Sequence, residues 1–260
     1  MSESKKRVQA PSTVSFYAQT MPGIERIAWR EIRSAGSAVE CLGYRTYEDK
    51  NGLVLFEYEQ DPRSLLRLRT TEDVFFLVAW TRDVPADRSG LKALTELVKS
   101  AKYFDVGLRI HREVRGGGRS RGTFRVIARK QGGSPSYRRV DVQKAIEKGV
   151  LARYNYIWKV VEDEAALEVW VTLLGTEAIV GLRLSDASMR HRTYKIRHLP
   201  ASLRPTIAAA MVFLSDPQPD DVFMDPLCGA GTILIERALA GRYARLLGGD
   251  VSPEALAVCR

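Results

Sequence analysis

An acidic side chain followed by two closely spaced glycines is the first feature of the sequence that could do chemistry. In the segment FMDPLCGAGTILIE, Asp225 ends a short apolar run, and Gly229 and Gly231 precede a second one. Glycines let the backbone approach a ligand closely, because no Cβ stands in the way. A helix that starts at Thr232 would direct its free N–H groups at an anionic part of that ligand. We therefore predict a ligand-binding strand, turn and helix.

A second acidic residue, Asp250, completes this pattern. It follows Leu246-Leu247-Gly248-Gly249, which predicts a second strand, and its distance from Gly231 is close to the ~20 residues that separate a glycine turn from a ribose-binding acid. No Gly-Lys-Ser or Gly-Lys-Thr follows the turn, which excludes a P-loop. Leu234 stands where a dinucleotide fold has its third glycine.

The carboxylate of Asp225 favours a ligand with a positive centre over a pyrophosphate. S-adenosylmethionine has an ammonium, a sulfonium, a carboxylate and a ribose. The combination of Asp225, the glycine turn, Thr232 and Asp250 suits that set of groups. We therefore predict S-adenosylmethionine as the cofactor.

The charge of the chain favours a polyanionic partner. Its 260 residues include 40 Lys plus Arg against 31 Asp plus Glu, which gives a formal charge of +9. The positive charges are clustered, and clusters of Lys and Arg with few acidic residues among them favour nucleic acid, since each neutralised phosphate releases counterions. The predicted RNA contacts are Arg115, Arg119, Arg121, Arg125, Arg129, Lys130, Arg138, Arg139 and Lys144, with Arg192, Lys195 and Arg197 in a second basic cluster.

Composition excludes several other classes of protein. The apolar fraction of 45% is ordinary for a globular protein. No apolar run approaches the ~20 residues of a membrane span. Residues 1–13 are polar and lack a signal-peptide core, so we expect a disordered leader on a cytoplasmic protein. Cys41, Cys228 and Cys259 form no Cys-x-x-Cys pair, so neither a disulfide framework nor a metal site is predicted.

Patterns of hydrophobic residues divide the chain into three parts and a linker. Residues 14–84 alternate as β-α-β-β-α-β, which predicts a ferredoxin-like α+β domain. Residues 85–186 predict an α/β domain with two helices, a Gly/Arg-rich stretch at 115–122, a strand, a helix and a β pair. After a linker at 187–204, residues 205–260 predict the start of a Rossmann-like α/β domain.

Together these segments resemble the THUMP-domain RNA methyltransferases that form N2-methylguanosine in tRNA or ribosomal RNA. The matching segments are FYAQTMPGIERIAWREI, TFRVIARKQGGSPSYRRVDVQKAIEKGV, LEVWVTLLGTEAIVGLRLSD, RTYKIRHLPASLRPTIAAAMV and, most specifically, MDPLCGAGTILIERAL. The resemblance implies that residues 85–186 are a THUMP domain and that the two N-terminal domains bind the RNA. It also implies that the cofactor site holds Pro205, Thr206, Asp225, Pro226, Cys228, Gly229, Gly231, Thr232 and Asp250, with Cys228 as a packing residue rather than a nucleophile.

One departure from the family is serious. Its members carry an Asn- or Asp-Pro-Pro-aromatic tetrad that binds the target guanine, and this sequence has no Pro-Pro pair. We therefore predict no catalytic residue within the chain. We expect an N-terminal portion of a longer enzyme, inactive alone, in which the guanine N2 would attack the sulfonium methyl.

Three alternatives stay open on the residues alone. The chain could be an RNA-binding module with a non-catalytic methyltransferase remnant. A THUMP-containing sulfur-transfer enzyme needs a Ser-Gly-Gly-x-Asp-Ser loop, and Gly132-Gly133-Ser134 lacks the acid that should follow. A nicotinamide dehydrogenase is disfavoured by Leu234 and by the basic N-terminal half. Neither the RNA, nor the guanosine, nor the oligomeric state follows from the sequence.

Overall fold

A computed structural model describes residues 14–36, 39–48, 50–116, 122–132, 136–197, 199 and 202–259. The predicted leader at 1–13 and the predicted RNA contacts Arg119 and Arg121 lie outside these ranges. The chain divides into two compact units. The first comprises the described parts of 1–16, 57–60 and 76–182, and the second those of 17–56, 61–75 and 183–260.

The elements follow the predicted order closely. They are β1 (Val14–Thr20), α1 (Glu25–Ser34), β2 (Val39–Tyr47), β3 (Asn51–Tyr58), a 3₁₀ helix (Pro62–Arg67), β4 (Asp73–Thr81), α2 (Ser89–Lys99), α3 (Phe104–Arg115), β5 (Thr123–Gln131), α4 (Arg139–Arg153), β6 (Lys159–Val160), β7 (Leu167–Leu174), β8 (Glu177–Arg183), α5 (Ala187–His191), α6 (Pro205–Leu214), β9 (Val222–Asp225), α7 (Thr232–Ala240), β10 (Arg245–Gly248) and α8 (Pro253–Cys259).

In the first unit, the strands lie in the order β4–β8–β7–β5–β6. β5 runs parallel to β6 and β7, whereas β7 and β8 are antiparallel, so the sheet is mixed. Alternate residues Phe124, Val126 and Ala128 of β5 are buried, as a strand with one covered face requires. α2 and α4 pack closely at Gly149, where an added Cβ would lie 2.7 Å from the carbonyl oxygen of Thr95.

In the second unit, the strands lie in the order β2–β3–β1, and Ala28 and Ile32 of α1 are buried. A separate two-stranded parallel sheet pairs β9 with β10, and α7 connects these two strands. α6 packs against both α1 and α7. The predicted cofactor residues from Asp225 to Asp250 lie at the end of β9, at the start of α7 or in the loops that follow β9 and β10.

Three details differ from the prediction. The second helix of the first predicted domain is a six-residue 3₁₀ helix, started by the Asp61 side chain, which accepts a hydrogen bond from the Arg63 N–H. The short elements β6 and α5 were not expected, because five residues or fewer carry too little periodicity to be recognised. The compact units also divide the chain at other positions than the predicted boundaries after residues 84 and 186. Among the described residues, no helix is long and apolar enough to cross a membrane.

Candidate functional site

The glycine turn connects the end of β9 to the start of α7. Gly229 and Gly231 have φ values of 53° and 74°, in the left-handed region that glycine adopts without strain. A Cβ added at Gly231 would also lie 2.6 Å from the Sγ of Cys259, so the Cys259 side chain would have to shift. Glycine at position 231 therefore suits the left-handed conformation of the turn and leaves space for the Cys259 side chain.

Both strand-end carboxylates brace the backbone around the turn. Asp250 accepts hydrogen bonds from the Gly229 N–H at 2.8 Å and from the Ser252 N–H at 2.9 Å. These bonds, from Ser252 first and then Gly229, lower the pKa of Asp250, because they stabilise the charged carboxylate. Asp225 accepts a hydrogen bond from the Leu227 N–H at 3.1 Å through one oxygen.

Backbone hydrogen bonds hold the two strand ends side by side. Gly248 of β10 lies opposite Asp225 of β9 in the parallel register. Beyond the strands, the Gly249 N–H donates to the Asp225 carbonyl at 2.9 Å, and the Cys228 N–H donates to the Gly249 carbonyl at 2.8 Å. The acidic side chains that follow the two strands are thereby held at one edge of the sheet, where ligands of doubly wound folds bind.

A cavity of about 430 Å³ opens at this edge. Four predicted residues line it: Asp225, Cys228, Gly229 and Thr232. Gly231 and Asp250 shape the turn without lining the cavity, and the carbonyl of Pro226 packs 3.4 Å from the position of a Cβ at Gly249. The remaining lining residues were not predicted; they are Leu199, Ser202, Leu203, Leu227, Ala230, Ile233, Ser252, Glu254 and Ala255.

Pro205 and Thr206 lie in a different cavity. This second cavity has a volume of about 340 Å³, and Ser202 is the one described residue that also lines the first cavity. The segment 202–206 therefore contributes residues to both cavities. Sequence reasoning placed this segment near the cofactor through its resemblance to the family, but the pattern alone gave no sign that its residues face two cavities.

Cys228 is a packing residue in this site. Its side chain is 6% exposed, and its Sγ lies 4.0 Å from the Sγ of Cys259. Burial raises the pKa of the Cys228 thiol to about 11, so that it is protonated at neutral pH. A protonated buried thiol is a poor nucleophile.

A buried carboxylate that the sequence did not single out anchors α7. Glu236 is 1% exposed and accepts hydrogen bonds from Arg69 Nε and Tyr194 Oη, each at 2.6 Å. Arg192 Nε lies 3.6 Å from the same carboxylate, and Arg192 also donates to the Arg69 carbonyl at 2.6 Å. Glu236 lies one helical turn after Thr232, so this network fixes the helix that starts at the glycine turn.

The predicted RNA contacts lie in both units. Arg115, Arg125, Arg129, Lys130, Arg138, Arg139 and Lys144 belong to the first unit, and Arg192, Lys195 and Arg197 to the second. Arg125 pairs with Glu168, with 3.1 Å between Nε and the carboxylate, and the Arg129 guanidinium lies 4.6 Å from the Trp170 ring centroid. Arg138, Arg139 and Lys144 lie on or beside α4, and both arginines are exposed.

Arg192 differs from the other predicted RNA contacts, because its residue is only 9% exposed. Its guanidinium contacts Glu236 and backbone carbonyls in the interior. Burial lowers the pKa of Arg192, and the nearby Glu236 carboxylate offsets part of this effect. We therefore leave Arg192 out of the RNA surface proposed below.

Comparison with protein families and curated proteins identifies relatives of this chain. Residues 192–250 match the family model described as RMKL-like, methyltransferase domain. A curated relative named tRNA (guanine(6)-N2)-methyltransferase, from Methanocaldococcus jannaschii, is 28% identical over 236 residues, which is 88% of this chain and 57% of the relative. The chain spans about half the length of the curated relatives that it matches along most of its own length.

Two solved structures share the fold. The crystal structure of TrmN from Thermus thermophilus aligns with a TM-score of 0.74 and 24% identity, over 95% of this chain and 68% of its own. The structure of SMU.472, a putative methyltransferase complexed with SAH, aligns with a TM-score of 0.63 and 21% identity, over 89% of this chain and 56% of its own. The glycine turn, Asp225 and Asp250 thus lie within the segment that matches the methyltransferase-domain model. The chain has the α/β fold of these two structures.

Proposed function

We propose that this protein binds S-adenosylmethionine at the turn between β9 and α7 and serves the formation of N2-methylguanosine in tRNA. The main support for cofactor binding is the hydrogen-bonded glycine turn. It lies between the carboxylates of Asp225 and Asp250 and lines an open cavity. The names of the curated relatives support the reaction and the substrate class.

The residues around the cavity fit the cofactor. Gly229 lines the cavity, and no atom lies within 4 Å of a Cβ built there, so its backbone faces open space that a ligand could approach. The carboxylates of Asp225 and Glu254 line the cavity and would attract the cationic part of the cofactor. The N–H groups at the start of α7 would receive its carboxylate, and Asp250 would hold the turn in shape through its bonds to the Gly229 and Ser252 N–H groups.

The cofactor, when bound, would supply an electrophilic methyl group. The residues of this chain would then position it, exclude water and hold the charge of its sulfonium between carboxylates. We assign no residue of this chain to the binding of the guanine acceptor, because the sequence contains no Pro-Pro pair. Positioning of the two reactants is the main source of acceleration in such a displacement.

We also propose that the N-terminal part of the chain binds the RNA. It would consist of a ferredoxin-like domain at 14–84 and a THUMP domain at 85–186. The element order β-α-β-β-3₁₀-β of the first part and the mixed sheet with α2, α3 and α4 of the second support these assignments. Basic residues on or beside α3 and α4 would contact phosphates, namely Arg115, Arg138, Arg139 and Lys144.

Calorimetric titration with S-adenosylmethionine, and separately with unmodified tRNA, tests this function. We expect both ligands to bind the wild-type chain. Asp225→Asn should lower the affinity for S-adenosylmethionine about tenfold or more, because it removes a charge-assisted contact worth roughly 1.5–3 kcal/mol. Its affinity for tRNA should not change.

Glu40→Asn is a suitable control, because Glu40 is an exposed residue of β2 in the same unit. Binding of tRNA without S-adenosylmethionine would instead favour an RNA-binding module with a methyltransferase remnant. Equal loss of both ligands in the Asp225 variant would contradict the division of tasks proposed here.

A further inference from the structure

The cavity at the start of α6 is rich in basic side chains. Its lining consists of Glu72, Arg190, His191, Lys195, Ser202, Arg204, Pro205 and Thr206, all in the second unit. Three of these side chains are cationic at neutral pH, and a single one is acidic. The volume of about 340 Å³ leaves room for a small charged group with its hydration water.

Two buried carboxylates offset the arginines of this cavity. Glu72, 3% exposed, lies 3.4 Å from Arg204 Nη1 and 3.7 Å from Arg190 Nε. Asp73, fully buried, pairs with Arg190 Nη2 and with Arg183 Nη2, each at 2.7 Å. Three arginines therefore share two carboxylates, and the contacts of Glu72 are long for ion pairs. The arginines alone leave one positive charge in excess.

Lys195 adds a second uncompensated charge. Its Nζ donates to the carbonyl oxygen of Leu203 at 2.9 Å, and it forms no ion pair within the described ranges. The residue is half-buried, and burial lowers the pKa of its ammonium group. A half-buried cation without an anionic partner carries a desolvation cost that a bound anion would relieve.

The start of α6 offers further hydrogen-bond donors. No side chain caps this helix, whose first residue is Pro205. Thr206 is 1% exposed, and its hydroxyl has no hydrogen-bond partner within the part of the chain that the structure describes. An anion that reaches the first turn of α6 would satisfy this hydroxyl and interact favourably with the helix N-terminus.

The position of the cavity indicates which anion it would hold. It shares Ser202 with the cavity of the glycine turn, so a group bound here would lie beside the cofactor. The cofactor carboxylate already has the N-terminus of α7 available in its own cavity. The anion of a neighbouring RNA substrate is its phosphodiester group, which a lysine and an arginine bind well.

We propose that the cavity lined by Lys195, Arg204 and Thr206 is a subsite for a phosphodiester group of the RNA, adjacent to the nucleotide presented to the methyl donor. This inference rests on the proposed function. It assigns Thr206 and Pro205 to the RNA rather than to the cofactor. It also gives Lys195 a specific role beside the cofactor.

Lys195→Met and Arg204→Met test the subsite, with Lys50→Met as the matched control. Lys50 is an exposed lysine of the same unit whose Nζ lies 3.2 Å from Glu48. Binding of tRNA is measured by fluorescence anisotropy at several salt concentrations, and binding of S-adenosylmethionine by calorimetry. Lys195→Arg, which keeps the charge, should restore most of the affinity, and thermal melting shows that each variant is folded.

We expect each Met variant to weaken tRNA binding several-fold at low salt. The slope of log Kobs against log salt should become less steep by about 0.7–0.9 for each phosphate that the variant no longer neutralises. The affinity for S-adenosylmethionine should stay within twofold of the wild type. Lys50→Met should leave all three quantities unchanged.

Three outcomes would overturn the inference. Unchanged tRNA affinity and slope in both Met variants would mean that no phosphate binds here. Weaker binding of S-adenosylmethionine with unchanged tRNA binding would mean that the cavity serves the cofactor carboxylate. Failure of the wild-type chain itself to bind tRNA would contradict the proposed function, and the inference would fail with it.

Discussion

The two cavities that share Ser202 differ in the charge of the side chains around them. The cavity of the glycine turn is lined by the carboxylates of Asp225 and Glu254 and by no basic residue among those described. The cavity at the start of α6 is lined by Arg190, Lys195 and Arg204 against the single carboxylate of Glu72. Opposite charges thus face adjoining spaces in the same unit.

This difference matches the two ligands that a methyl transfer to RNA must bring together. A sulfonium donor is favoured by carboxylates, and a phosphodiester by guanidinium and ammonium groups. Because the acidic and the basic side chains line different cavities, each ligand could bind without neutralising the charges that attract the other. Substitutions in one cavity should therefore affect one ligand much more than the other.

The largest effect is expected from Glu236→Gln, which removes the charge of the buried carboxylate behind α7. Arg192 would keep a buried positive charge, and Arg69 a half-buried one, without compensation, and breaking a buried pair costs about 3–5 kcal/mol of unfolding free energy. Urea denaturation measures this loss. Donor binding should weaken more than tRNA binding, since α7 starts at the donor turn.

Glu40→Gln is the matched control for this variant, because it makes the same change at an exposed position of the same unit. A stability loss no larger than that of the control would show that Glu236 does not hold the helix in place.

A smaller but more selective effect is expected from Gly231→Ala. The added Cβ would lie 2.6 Å from Cys259 Sγ, and the alanine would have to adopt the left-handed backbone conformation at φ 74°. Affinity for S-adenosylmethionine should fall by about tenfold, because a strain of roughly 1–2 kcal/mol would distort the turn. Affinity for tRNA should be retained, which would sharpen the separation of the two cavities.

Gly23→Ala controls for the backbone strain alone. Gly23 has φ 89°, and no atom lies within 4 Å of its added Cβ. The variant should lose stability without losing donor affinity. Equal donor affinity in the two alanine variants would mean that close packing at Gly231 is unimportant.

The smallest effect concerns pH. Backbone hydrogen bonds lower the pKa of Asp250 in the folded protein below its ordinary value of about 3.9. The stability that these bonds contribute is therefore fully present above about pH 4 and is lost as the pH falls through the folded pKa. Asp250→Asn should remove this part of the acid dependence, measured as melting temperature between pH 6 and pH 3. An unaltered acid profile would show that the bonds to Gly229 and Ser252 contribute nothing measurable.

The strand, the glycine turn and the helix around the candidate site could be predicted because their signals are local. Asp225, Gly229, Gly231 and Thr232 lie within eight residues, and their order alone indicates a strand, a glycine turn and a helix start. The element order was also predictable, since strand and helix periodicities are read over short windows. The 3₁₀ helix at Pro62–Arg67 was taken for an α-helix because six residues cannot distinguish the two.

The surroundings of the site could not be predicted, because they join distant segments. Arg192 belongs to a basic cluster in the sequence, yet its side chain is buried against Glu236. Thr206 stands close to the donor turn in the family pattern, yet it lines the neighbouring cavity. Neither outcome follows from the residue type, since an arginine or a threonine is compatible with surface and interior alike.

By itself, the sequence determined the glycine turn, the two acids that follow the strands and the excess of positive charge, since each depends on residue type and short spacing. Only the tertiary structure decided which charges meet. Arg69 and Glu236 are 167 residues apart in the chain and 2.6 Å apart in the fold. Ser202 lines both an acidic cavity and a basic one. Long-range packing selects such partners, and no local pattern records them.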